Sequence, residues 1–320
     1  MLAASFAGCG SKSSSTGPVP DCDGTHLMVF TSGRNLPAGQ HNIFLYDFDA
    51  GGFRALVGFG GAGQDQHPAI TSDGKVIAVE RTRAGTGQDV LIYERCSGTF
   101  LDRPELVTAA DETQPAFSGG THQLAFVRDT LGMKHLRLYD ALGHRFIPLP
   151  KLDELAARGI ALGSPTLDRD GNTIAFVRDS SGSRDIGVYS RTTDSFLVGL
   201  EQAINSPNEE RDPWLTPDAR FLAFASNRPS ASGTLFDIYV YDTVARSYIA
   251  TDSLNSTGND VHPSLSPDGI FMVFQSDRTT GLLVKGKWDL YNYNLTLHKI
   301  GQSFEESSSE DDTEPYVAWP

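Results

Sequence analysis

The sequence predicts an all-β protein, a six-bladed β-propeller. Three observations predict it: a hairpin that recurs about every 50 residues, two spacings within it that barely vary, and partial units at the two ends that complement each other.

The hairpin is clearest at Asn259–Asp277, NDVHPSLSPDGIFMVFQSD. A short strand through Pro263 meets a turn at Pro267-Asp268-Gly269, and an apolar strand returns. One hairpin is marginal in water, but copies stand at Asp65–Arg83, Glu112–Arg128, Leu162–Arg178 and Glu210–Arg228. The anchors are Pro68, Pro115, Pro165, Pro213 and Pro263, with a sixth at Pro315. Eleven positions after the first five come Val79, Phe126, Phe176, Phe224 and Phe274. A third strand ends on Tyr46, Tyr93, Tyr139, Tyr189, Tyr241 or Tyr293, and the next proline lies 22 residues on in four of six cases, 26 and 24 in the others.

The returning strands, such as Ile174-Ala175-Phe176-Val177, are apolar on both faces, as expected of sheets stacked between sheets. Their turns carry Asp-Gly at 73–74, 170–171 and 268–269, with Gly119-Gly120 and Asp218-Ala219 elsewhere. Residues 24–47 supply a second strand (Leu27–Phe30) and a third (Ile43–Tyr46) with no first, and Glu314–Trp319 supplies a first strand alone. Pairing the two closes the ring and removes two open edges. Five whole blades and one split blade make six. A short helix is expected over Lys151–Gly159, in the longest tyrosine-to-proline gap.

HPSLSPDG…MVFQSDR…DLYNYN and DPWLTPDARFLAFASNR…DIYVYD resemble the PD40 (WD40-like) repeats of TolB-type propellers. The resemblance covers about nine-tenths of the chain and implies the same fold. TolB carries an α/β domain before its propeller, and the expectation here is a propeller over 21–320 with no such domain.

Residues 1–20 are expected to be a signal remnant and a Ser/Gly/Pro-rich tether. Phe6-Ala7-Gly8-Cys9 is similar to a bacterial lipobox, which implies acylation of Cys9 and a lipid anchor, hence a periplasmic or surface lipoprotein of the envelope, with the outer membrane as the expected site. In an oxidising compartment Cys22 and Cys96 can form a bridge, or stand as two thiols. No apolar run approaches the ~18 residues of a membrane-spanning helix. A net charge of −14 and a pI near 4.9 argue against nucleic acid as a partner.

Candidate site residues lie one and three positions before each proline, where strand alternation would put both on one face of the strand lining the channel. They are His67 and Asp65, Gln114 and Glu112, Ser164 and Leu162, Asp212 and Glu210, His262 and Asp260, Glu314 and Asp312. Seven of the twelve are acidic, so an acidic channel mouth is expected, suited to a protein or peptide partner and, through its carboxylates, to Ca²⁺. The other reading of the same residues is a hydrated rim that only keeps the protein soluble. The predicted function is a non-enzymatic, monomeric binding scaffold of the cell envelope.

The alternative is enzymatic: oligogalacturonate lyases are metal-dependent PD40 propellers, and by that resemblance His67, Gln114 and His262 would be its metal ligands. Arg34, Arg81, Arg83, Arg128, Arg178, Arg228 and Arg278 recur after the second strand beside Asp89, Asp185, Asp237 and Asp289, which reads as one ion pair repeated per blade. The Gly281–Lys287 stretch lacks the Ser/Thr of a phosphate loop, and Asp168–Asn172 lies on a repeat turn, so neither is read as a site. Glu305–Asp312 is read as a solvated acidic loop. No nucleophile elbow, His-Glu-x-x-His helix or Cys-x-x-Cys pair occurs.

Overall fold

The structure, a computed structural model, describes residues 22–37, 39–59, 64–83, 87–120, 122–180, 182–231, 233–251, 253–279, 287–301 and 311–319, with the side chain of Arg83 excepted. Cys9 and its tether, most of the 281–287 stretch and residues 305–310 of the acidic loop lie outside them.

Six four-stranded antiparallel sheets form a ring. Blade 1 is the split one: the C-terminal strand Asp312–Ala318 pairs with Leu27–Ser32, followed outward by Asn42–Asp47 and Gly52–Arg54. Leu27 faces Ala318, Met28 faces Val317 and Val29 faces Tyr316 in the closing register. Blades 2 to 6 follow in chain order. Their inner strands are Gln64–Ile70, Asp111–Phe117, Ala161–Leu167, Glu210–Leu215 and Asp260–Leu265.

The core is divided by the ring into six apolar clusters, one between each pair of adjacent blades. Phe126, Phe176, Phe224 and Phe274 are fully buried in them, which is why the second strands are apolar on both faces. The turn glycines do more than turn. Gly74 has φ +69°, and a Cβ there would come within 2.6 Å of the Leu27 side chain in blade 1.

Helix α1 (Pro150–Ala157) is the expected helix and packs Leu152 against blades 3 and 4. A second helix, α2 (Val198–Ile204), was not expected. Seven residues containing Gly199 carry too little periodicity to be read, and the 24-residue gap was its only trace. Cys22 and Cys96 are bonded, Cα–Cα 4.7 Å, which ties the chain ahead of blade 1 to the outer turn of blade 2. Beside the bridge the buried Arg95 donates to the carbonyls of Asp23 and Gly74.

Candidate functional site

Every inner strand is interrupted at its X-Pro step. The pairing register shifts across Gln66/Ala69, Thr113/Ala116, Gly163/Thr166, Arg211/Trp214 and Val261/Ser264, and opposite Glu314-Pro315 in the split blade. Proline has no N–H for the ladder, so a bulge forms there. The residue before each proline, His67, Gln114, Ser164, Asp212, His262 or Glu314, takes a left-handed backbone with φ between +45° and +57°. That is uncommon for non-glycine residues and unexpected before proline. All six X-Pro steps line a single axial pit of about 420 Å³.

The same bulge overturns one expectation. Positions one and three before the proline do not share a face, because the extra residue breaks strand alternation between them. Asp65, Glu112, Glu210, Asp260 and Asp312 are all buried and point to arginines, not to the pit. Asp65 takes Arg81 through both oxygens at 2.5 and 2.7 Å, and Arg278 reaches Asp260 at 2.6 Å. The predicted acidic collar is therefore reduced to Asp212 and Glu314.

The arginines do form one repeated ion pair per blade, with these carboxylates as partners. Arg81 and Arg128 sit two residues after the strand anchor; Arg34, Arg228 and Arg278 sit four after, where Ser32, Ser226 and Ser276 also accept their Nε. Asp89 and Asp185 face Arg81 and Arg178 across the strand ladder. Blade 4 is the exception: Leu162 replaces the acid, and Arg178 turns to Glu201 of α2 at 3.1 Å.

Within the pit the charges are internally matched. His67 Nε2 lies 2.9 Å from Glu314 Oε1, and Nδ1 lies 3.1 Å from Glu80 Oε2. Burial pushes the His67 pKa down, but the carboxylates of Glu314 and Glu80 outweigh it and hold it well above the ordinary value. Burial likewise opposes ionisation of Glu314, yet His67 brings its pKa down to about 2. Asp212 is 3.5 Å from Arg211 Nε and 3.7 Å from His262 Nε2. Arg211 also stacks on Phe236, 3.6 Å from the ring centroid. On the blade 3–4 side the rim carries Lys134, Asp179 and Arg184, the last two 3.4 Å apart.

The left-handed N–H groups donate sideways to the preceding blade of the ring. His67 N–H bonds Glu314 Oε2 at 2.7 Å, Gln114 N–H bonds Glu80 Oε2 at 3.2 Å, Ser164 N–H bonds Gln114 Oε1 at 2.8 Å, and Glu314 N–H bonds Gln275 Oε1 at 3.2 Å. Thr31 Oγ1 donates to Glu314 as well. Sequence reasoning missed Glu80, Gln275 and Thr31. Their trace is a polar residue just after the strand anchor, where blades 3, 4 and 5 have Val127, Val177 and Ala225.

Two aromatic rings close the pit below. Tyr316 reaches across from blade 1 to bond the Phe117 backbone of blade 3 at 3.1 Å, and packs edge-on against Trp214 of blade 5, centroids 4.5 Å apart. Trp214 Nε1 donates to the Leu265 carbonyl. Both rings follow the anchoring proline, where other blades place Ala69, Ala116, Thr166 and Ser264. That contrast was the readable signal.

Among the described residues no group of three His, Cys, Asp or Glu side chains is arranged to hold a metal ion. A ligand set of His67, Gln114 and His262 would need free lone pairs: His67, with a carboxylate at each nitrogen, is held protonated and has none, and Gln114 Oε1 already accepts from Ser164.

Fold and site together define a six-bladed propeller with a closed-ended axial pit, and the fold is similar to that of TolB. TolB from Acinetobacter baumannii shares 17% identity over 92% of this chain and 67% of that one, TM-score 0.67. A putative TolB from Agrobacterium tumefaciens shares 13% over 92% and 98%, TM-score 0.58. An oligogalacturonate lyase from Vibrio parahaemolyticus shares 15% over 78% and 71%, TM-score 0.50. No protein-family model and no curated protein matches the sequence.

Proposed function

We propose that this chain is a non-enzymatic cell-envelope scaffold that holds a protruding segment of a partner polypeptide in its axial pit. The observation that carries the reading is the convergence of all six X-Pro steps on one closed-ended cavity. Rigid walls with varied polar groups suit recognition. His67 lies between the carboxylates of Glu314 and Glu80, so it is no free base, and among the described residues no group of three acidic or imidazole side chains is arranged to hold calcium. The Cys22–Cys96 bridge supports an oxidising compartment, and acylation of Cys9 would tether the propeller to a membrane.

The test is crosslinking capture from native envelope, comparing wild type with Ser164→Trp, which fills the pit from the wall. A partner held by wild type and lost by the variant at unchanged Tm supports the reading. Equal capture by both overturns it. Asp260 has no place in such a test, because its charge belongs to Arg278.

A further inference from the structure

The sideways relay of N–H groups is incomplete. Side-chain reach explains which links close. Glu314 and Gln114 are long enough to accept from the following blade, and where the X residue is histidine, Glu80 and Gln275 accept instead. Blades 4 and 5 have neither device. Ser164 and Asp212 are too short to span, and the residues after their strand anchors are Val177 and Ala225. Among the described residues, accordingly, no side chain accepts from the N–H of Asp212 or of His262.

These two N–H groups belong to neighbouring blades, 5 and 6, and Asp212 also carries an acceptor without a hydrogen bond. Asp212 Oδ2, on a side chain only 10% exposed, is buried and makes no hydrogen bond: Arg211 Nε and His262 Nε2 stand 3.5 and 3.7 Å away, close enough for charge attraction only, and Arg211 Nε is itself buried without a hydrogen bond. Buried polar atoms of this kind are costly unless something fills them. Both N–H groups belong to residues that line the pit.

We propose that this gap is a subsite for an amide group of the partner, a Gln or Asn carboxamide or a main-chain peptide. Its oxygen accepts from the N–H of Asp212 or His262, and its N–H donates to Asp212 Oδ2. A carboxylate would satisfy the donors but meet the Asp212 charge and leave Oδ2 orphaned; an ammonium would do the reverse. An amide supplies both the acceptor and the donor; Gln114 and Gln275 show the acceptor half elsewhere in the ring, each Oε1 taking one such N–H. This inference rests on the pit being a binding site, and sharpens what it binds.

The experiment is a titration of the ¹⁵N-labelled full chain with glutaramide, and in parallel with glutarate, which carries carboxylates and no amide, read by amide NMR. The Asp212 and His262 signals are expected to move downfield with the first compound, while those of His67, Gln114, Ser164 and Glu314 stay in place. Ser164→Gln should install the missing internal acceptor, so the Asp212 signal is displaced before titration and loses its response. Still Asp212 and His262 signals in wild type, an undiminished response in folded Ser164→Gln, or an equal response to glutarate would each overturn the assignment. A partner captured through the pit while these amides stay still would sink the subsite alone; amides that respond while no partner depends on the pit would leave the subsite standing without the proposed function.

Discussion

His67 sits between carboxylates from two blades, Glu80 of its own and Glu314 of the closing strand, and its charge is what lets both be buried. The sign of the pH dependence follows from the two shifts. A raised histidine pKa contributes stability that is present below its ordinary value of 6.5 and lost as pH climbs through the folded value. A lowered carboxyl contributes stability that is present above 4.5 and lost as pH falls toward about 2. The Tm deficit of His67→Gln should therefore be largest between pH 4.5 and 6.5 and shrink at alkaline pH; a deficit independent of pH would contradict the pairing. Asp289 runs the other way. Burial and the neighbouring Asp312 and Asp311 push it up to about 6 against the pull of Arg34, so its ionisation costs stability as pH rises from about 4 to about 6. Asp289→Asn should stabilise the fold by order of 2 kcal/mol at pH 7, and the gain should vanish near pH 4. Chemical denaturation at the two pH values measures it.

The inner strand is the unit in which structure and site are separated. In five of the six blades its bulge sends the acid three before the proline to an arginine and the residue one before it inward to the pit; in blade 4 the outer place is taken by Leu162. The outward pair is a specifying device more than a source of net stability: burial raises the Glu112 pKa even though Thr108 and Arg128 pull it down. Breaking the pair is another matter, since it strands a buried charge. Asp260→Ala, which leaves Arg278 without its carboxylate, should cost about 3–5 kcal/mol. Blade 4 offers the control. Glu201→Ala should destabilise by a similar amount although α2 lies outside the sheets, because Glu201 replaces the acid missing at Leu162. Urea midpoints at constant m-value test both, and a Glu201→Ala midpoint equal to wild type would show that Arg178 needs no partner. The arginines, their paired acids and the bulge-forming prolines were all legible in the sequence. Their pairing was not, because strand parity was carried through a bulge that breaks it.

At the scale of the molecule, closure depends on the first and last strands meeting and on a bridge that pins the approach to them. In a chain-entropy account a crosslink spanning 74 residues stabilises by about 4 kcal/mol. Cys22→Ser with Cys96→Ser should therefore lower Tm markedly, and reduction of wild type should lower it to the same value. The sequence by itself determined the ring: blade count, strand order, closing pair and buried faces all follow from spacings along the chain, because each blade is a local hairpin stack whose apolar residues must meet their neighbours. Tertiary structure alone decided what faces the axis. Which acids are neutralised by arginine, which histidine lies between two carboxylates, that Tyr316 and Trp214 close the floor, and where the N–H relay stays open are relations between residues of different blades. They are set by side-chain reach across the ring, a distance that separation in sequence does not encode.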